Sequence, residues 1–267
     1  MKPQTTNAML WAISVFVTLA IVVYQRATGP TYPIRSSVKI AEETISFKLP
    51  RSHGGALDCV VKIVSKNQTI AGKIQWKRYK TDDPWREIDM KRSGDELSAG
   101  LPHQPPAGKL QYRVSLNGTS LTGETPVIIR FKGAVPLGFL APHVVLMFAG
   151  MLLGVRAALE GLALNRRTRF FAWATTVSLF FGGMVFGPVV QHYAFGHFWT
   201  GFPFGHDLTD NKTLFIMIAW GLALWKCHRS DDPRWWVISM SLLTLAIYLI
   251  PHSLLGSELD YSKLPVK

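Results

Sequence analysis

Two apolar regions, residues 8–24 and the stretch after Val135, bracket about 100 residues of quite different character, and this interruption limits the fold more than any other feature. A run of about 17 or more predominantly apolar residues is the length that crosses a bilayer core. The sequence therefore predicts an α-helical membrane protein with an inserted soluble domain. Its divisions are a transmembrane anchor at residues 1–26, an exported all-β sandwich at 35–133, a four-helix membrane domain at 137–252 and an exported tail at 253–267.

The anchor, Ala8 to Tyr24, is preceded by Lys2 and followed by Gln25 and Arg26. A cleaved signal peptide is the rival reading, but no small-x-small cleavage pattern closes the run, so an uncleaved helix is expected. After Gly133 four further spans are expected, at about 137–159, 171–191, 213–226 and 235–252. The connection with Arg166, Arg167 and Arg169, and the one with Lys226, Arg229 and Arg234, are short and basic, and such loops stay in the cytoplasm. The N-terminus is then cytoplasmic, with the sandwich and the tail on the periplasmic side of a bacterial inner membrane. Gly150 with Gly154, and Gly183 with Gly187, have the small-xxx-small spacing that lets helices approach.

The net charge of +12 does not imply nucleic acid, because no basic run is interleaved with aromatic residues. Membrane lipid is the expected partner of the basic loops. Cys59 and Cys227 fall on opposite sides of the membrane in this topology, which excludes a disulfide between them and a thiolate zinc site.

Within the insert, runs such as Val60–Val64, Gly72–Trp76 and Leu110–Val114 alternate between Gly, Pro, Asn and Asp turns, the pattern of a sandwich of short strands. The order from Ile74 to Tyr79, then Trp85 to Met90, then Leu101 to Val114 resembles fibronectin type III and immunoglobulin-like modules of bacterial surface proteins. The resemblance implies that Trp76 is a core aromatic and that Tyr112 lies on a late strand after the proline-rich turn. It also implies that the domain docks an exported or membrane protein partner, and it brings no catalytic residue with it. His53 and His103 are expected in exposed turns.

The candidate chemistry lies on the outer face of the membrane domain. His143 starts the second span, His192 ends the third and His252 ends the fifth, while His197, His206, Asp207 and Asp210 lie in the loop at 193–212. Ionisable groups at membrane depth are functional candidates, and imidazole with carboxylate suits iron, zinc or copper. One chemistry is a haem b held by His143 with His192 or His252 in a redox role, with Met147 as an alternative axial ligand. Another is a zinc ion on histidines and Asp207 or Asp210, activating water for hydrolysis of a lipid-like substrate. The structural alternative is that the histidines sit at the interface as caps, that Asp207 and Asp210 cap the fourth span, and that Lys212 pairs with one of them. The protein is then a non-enzymatic accessory or assembly subunit.

The loop from Tyr193 to Gly205 carries no formal charge yet contains Trp199, Phe202 and Phe204 among its aromatics. Such composition suits an interfacial or re-entrant segment, a lid over the histidines. The fourth apolar stretch, about 14 residues or roughly 21 Å, is short for a span, and a folded-back loop would make up the difference.

Overall fold

The computed structural model describes residues 3–263 apart from residues 41, 165, 166, 253 and 255, with side chains from residue 7 onward. Lys2 and Arg166, two of the charges behind the expected orientation, lie outside the described residues. The chain divides into a helical unit, drawn from the residues up to 30, 135–193 and 197–256, and a β unit drawn mainly from 31–134 and from 257 onward.

The helical unit begins with α1 (Pro3–Thr28) and α2 (Leu137–Leu162). The next helix runs from α3 (Thr168–Leu179) through a π-helical segment (Phe180–Phe186) into α4 (Gly187–Phe195), and α5 (Leu208–Arg229) and α6 (Arg234–Leu249) complete the unit. Among the described residues three helices are long and apolar enough to cross a membrane: Asn7–Thr28, Leu137–Leu162 and Thr168–Phe195, with mean hydropathies of 2.0, 1.9 and 1.5. Apolar helix α6 is shorter, at 16 residues.

Close packing is made by glycine at the crossings. A Cβ at Gly150 would lie 2.5 Å from the Leu179 side chain, and one at Gly182 would lie 3.0 Å from the Met147 backbone nitrogen, so neither position accepts a side chain without moving its neighbour. Several polar groups buried among the helices find partners on neighbouring helices. Trp220, fully buried on α5, donates from Nε1 to Thr244 Oγ1 of α6 at 2.9 Å, and Ser241 Oγ donates to the Gly154 carbonyl of α2 at 2.9 Å. Tyr248 Oη reaches the Met147 carbonyl at 3.4 Å.

Helix α1 is part of this packing and is pinned near both ends. Gln25 Nε2 donates to the Tyr248 carbonyl at 2.9 Å, and Asn7 Oδ1 accepts from Arg156 Nη2 at 2.6 Å. Arg156 is 1% exposed; it pairs with Glu160 at 2.6 Å and lies between the rings of Trp11 and Phe171, 5.2 and 5.1 Å from their centroids.

The β unit has eleven strands: β1 (Ile34–Ile40), β2 (Glu43–Leu49), β3 (Ser52–Gly54), β4 (Cys59–Val64), β5 (Gly72–Arg78) and β6 (Arg86–Asp89) in the first half. The second half supplies β7 (Lys91–Ser93), β8 (Glu96–Leu101), β9 (Lys109–Leu116), β10 (Thr119–Ser120) and β11 (Val127–Lys132). They form two sheets, ordered β1-β2-β4-β8-β7 and β3-β11-β9-β5-β6, with β10 beside β9. All pairings are antiparallel except β3 with β11.

Period-two alternation sends Cys59, Val61 and Ile63 of β4 and Leu110, Tyr112, Val114 and Leu116 of β9 into one core. Tyr112 lies on a late strand, as the resemblance implies, and satisfies its buried hydroxyl on the Pro50 carbonyl at 2.8 Å. Trp76 packs against the core from its edge, partly buried, with Arg86 over its ring at 5.4 Å. Cys59 and Cys227 are both buried and free.

Of the residues after α6, Ser257 to Lys263 belong to the β unit. Tyr261 is buried against the turn before β9, where its hydroxyl accepts from Lys109 N at 2.9 Å and lies 3.1 Å from Gln104 Oε1. Leu259 N donates to the Ala107 carbonyl at 3.1 Å. Glu258 pairs with Lys109 at 3.1 Å and Lys80 at 3.2 Å.

Removing one member of the Arg156–Glu160 pair leaves a buried charge and is expected to cost about 3–5 kcal/mol, whereas an apolar pair of similar volume costs much less. Thermal unfolding in detergent should therefore rank Glu160→Ala well below the Arg156→Met, Glu160→Leu double variant; equal loss in both would contradict the assignment. In the β unit, partial burial raises the Glu258 pKa, but hydrogen bonding and charge from Lys109 and Lys80 outweigh it and hold the carboxyl below its ordinary 4.5. A depressed carboxylate stabilises the docked segment above that pH and stops doing so as pH falls through the folded value. The Leu259 amide should lose exchange protection below about pH 4.5, and Glu258→Gln should remove that dependence.

Candidate functional site

The loop between α4 and α5 is organised by the first turns of α5. Asp207 is the N-cap of that helix, its Oδ1 accepting from Thr209 N at 2.8 Å. One turn in, the buried Asp210 directs Oδ2 back into the loop, where it accepts from Thr200 N at 2.6 Å, Thr200 Oγ1 at 3.2 Å and Gln191 Nε2 of α4 at 2.9 Å. Its neighbour Asn211 accepts from Phe202 N at 2.7 Å. The loop lies so close to the helix that a Cβ at Gly201 would fall 2.6 Å from Asp210 Cβ. The Thr200 carbonyl then accepts from Asp207 N at 3.0 Å, closing a compact turn that contains a cis Phe202–Pro203 bond.

This geometry accounts for a helix longer than the apolar stretch suggests. α5 has 22 residues, about 33 Å at helical rise, because Asp207 caps it early and its polar first turn is occupied in holding the loop. The helix is thus longer than its apolar stretch, and it is not among the three that are long and apolar enough to cross a membrane. Lys212 is also buried, and its Nζ donates to the Ile250 carbonyl at 2.9 Å, just past the end of α6.

Of the lid residues, Trp199 is tied back, its Nε1 donating to the Phe202 carbonyl at 3.0 Å, whereas Phe202 and Phe204 project outward, 67% and 83% exposed. Phe198 stacks flat on His192, with ring centroids 4.2 Å apart and planes 3° from parallel.

The histidines are placed differently from one another. His143 is half-buried in α2, and its Nδ1 donates to the Gly182 carbonyl at 2.8 Å, inside the π-helical segment. That donation fixes the tautomer and leaves Nε2 as the acceptor nitrogen, the arrangement of a histidine able to bind a metal. His192 is exposed under Phe198, His197 and His206 are exposed in the loop, and His252 is exposed in the turn after α6. Among the described residues no three His, Cys, Asp or Glu side chains come together as a metal-ion site. The physical reason is visible for the carboxylates: Asp207 and Asp210 are turned onto backbone and amide donors.

Gln191, Thr200 and Asn211, which complete the loop's hydrogen bonding, were not expected from sequence. Their signal was the spacing of Asp207, Asp210 and Asn211 along one turn of helix beside a glycine-rich segment. The Gly182 carbonyl carried no signal, because π-helical geometry has no sequence pattern here.

Asp210→Ala should leave Thr200 N and Gln191 without their acceptor, at about 1–3 kcal/mol, and the loop should then be cut faster by protease than in wild type. Asp210→Asn should lie between the two; an unchanged cleavage rate in Asp210→Ala would contradict the latch. No protein-family model matches the chain, and no curated protein is found similar to it in sequence.

Proposed function

We propose that the chain is a non-catalytic accessory component of a bacterial inner membrane, with five spans and an exported β-sandwich that docks a protein partner. The observation that carries this reading is the engagement of Asp207, Asp210 and His192 within the chain itself, which assigns the loop's polar groups to holding its shape.

Chain parity supports five spans. Residues 257–263 belong to the same unit as the sandwich, which favours an even number of crossings between 137 and 256. The two apolar helices α2 and α3–α4 cross, and α5 and α6 then cross as a pair, their outer surfaces presenting Phe215, Ile218, Leu222, Leu242 and Leu249. Exposed aromatic residues mark both interfaces: Phe170, Trp173, Trp225, Trp235 and Trp236 at one end, and Tyr193, Phe198, Phe202 and Phe204 at the other. The short basic connections make the first end cytoplasmic.

The sandwich has the order expected of an immunoglobulin-like module, with β2-β4-β8-β7 as one sheet and β5-β9-β11 as the centre of the other. Its docking surface is the outer face of the second sheet, where Trp85 lies between Lys77 and Arg113, 5.6 and 4.8 Å from its ring centroid. Trp and Arg are the residues that most often dominate protein interfaces.

A second reading follows from His143. Its Nδ1–H on the Gly182 carbonyl and its position against a π-helical segment are features of functional sites, and Nε2 would serve as an axial ligand of a haem or a ligand of iron, zinc or copper.

Elemental analysis and the absorption spectrum of detergent-purified protein separate the two. The accessory reading expects metal well below one atom per chain; stoichiometric metal that is lost in His143→Ala would replace it with the second. A phosphatase fused after residue 263 should be active and one fused at 230 inactive, and the reverse pattern would overturn the orientation.

A further inference from the structure

The first turn of α3 and the turn joining α5 to α6 border an open cavity of about 370 Å³ lined by Thr168, Arg169, Asp231, Asp232, Pro233 and Arg234, among others. Both signs of charge face it. Arg169 Nη2 donates to the carbonyls of Ser230 at 2.7 Å and Asp231 at 3.2 Å, which holds the guanidinium across the two turns. Arg234 Nε lies 3.0 Å from Asp232 Oδ2. The cavity is thus lined by two arginines from the first turns of α3 and α6 and by two aspartates of the turn between α5 and α6, with Arg234 and Asp232 paired beside it.

Its surroundings are apolar and aromatic. Phe170 and Trp173 on the first turns of α3, and Trp235 and Trp236 on the first turn of α6, are exposed, and Lys226 lies over Trp225 and Trp236 at 4.8 and 4.7 Å. Trp and Lys in this arrangement are anchors at headgroup level, and the cavity opens at the end of the apolar helix Thr168–Phe195.

The charge pattern selects among headgroups. A purely anionic one would meet Asp231 and Asp232 as well as the arginines. A choline headgroup offers no N–H for a carboxylate. A phosphate carrying a primary ammonium complements both pairs with charge-assisted hydrogen bonds. We propose that this cavity binds the headgroup of an aminophospholipid, with its phosphate against Arg169 and Arg234 and its ammonium against Asp231 and Asp232. This assignment rests on the membrane reading above.

The test is lipid retention by the full-length protein, delipidated in detergent and offered equal amounts of phosphatidylethanolamine, phosphatidylglycerol and phosphatidylcholine, then read by native mass spectrometry. Phosphatidylethanolamine should be retained over each of the others by about tenfold or more. Asp231→Asn with Asp232→Asn should abolish that preference and raise phosphatidylglycerol retention, while Arg169→Gln with Arg234→Gln should lower all three. If a double variant does not fold, Asp231→Asn alone, in an exposed turn, carries the same test. Equal retention of the three lipids, or a preference that survives Asp231→Asn, overturns the headgroup assignment while the membrane reading stands. Recovery of the protein in the soluble fraction without detergent overturns both.

Discussion

Arg156 is the charge around which the helical unit is built. A guanidinium with 1% of its surface exposed needs its compensation from immediate neighbours, and these come from three helices: Glu160 one turn along α2, Asn7 and Trp11 on α1, and Phe171 on α3. The desolvation of one ion therefore specifies where α1 docks. Removing α1 would leave the pair with a single partner, so the N-terminal helix belongs to the folded unit as much as to its targeting.

Hydrogen bonds between helices, or from a helix to the end of another, recur in this unit. Ser241 and Trp220 bind across helices, Gln25 reaches the Tyr248 carbonyl, and Lys212 covers a carbonyl that α6 leaves open at its end. Each places a hydrogen bond where water is scarce, and together they fix the rotation of α5 and α6 about their axes, which apolar packing alone leaves loose.

Much of this was legible in the sequence, and the reasons are specific. The apolar runs announced three helices because length and hydropathy act locally, and the alternation of β4 and β9 announced strands because a two-residue period has one meaning at a half-buried surface. The glycines at 150 and 154 were legible as contact points for the same reason. The site was not. The topology expected from sequence brings His143, His192 and His252 to one face, but a side chain's partner depends on distances that no spacing encodes. His143 lies against the Gly182 carbonyl, His192 lies under Phe198, and the two aspartates are spent on the loop. The reach of α5 to Leu208 was hidden likewise, because hydropathy counts Asp210 and Lys212 against the helix, although one holds the loop and the other covers a carbonyl at the end of α6.

The segment from Ser257 to Lys263 gives the β unit an order of assembly. The eleven strands are all made before α2, yet the turn at Gln104–Lys109 acquires its Tyr261 partner only after α6 has been synthesised. A nascent chain can form both sheets early, but the turn before β9 gains the Tyr261 hydroxyl only once α6 has been made. The β unit is therefore closed by a segment that lies beyond the helices in the chain, so its completion waits on theirs.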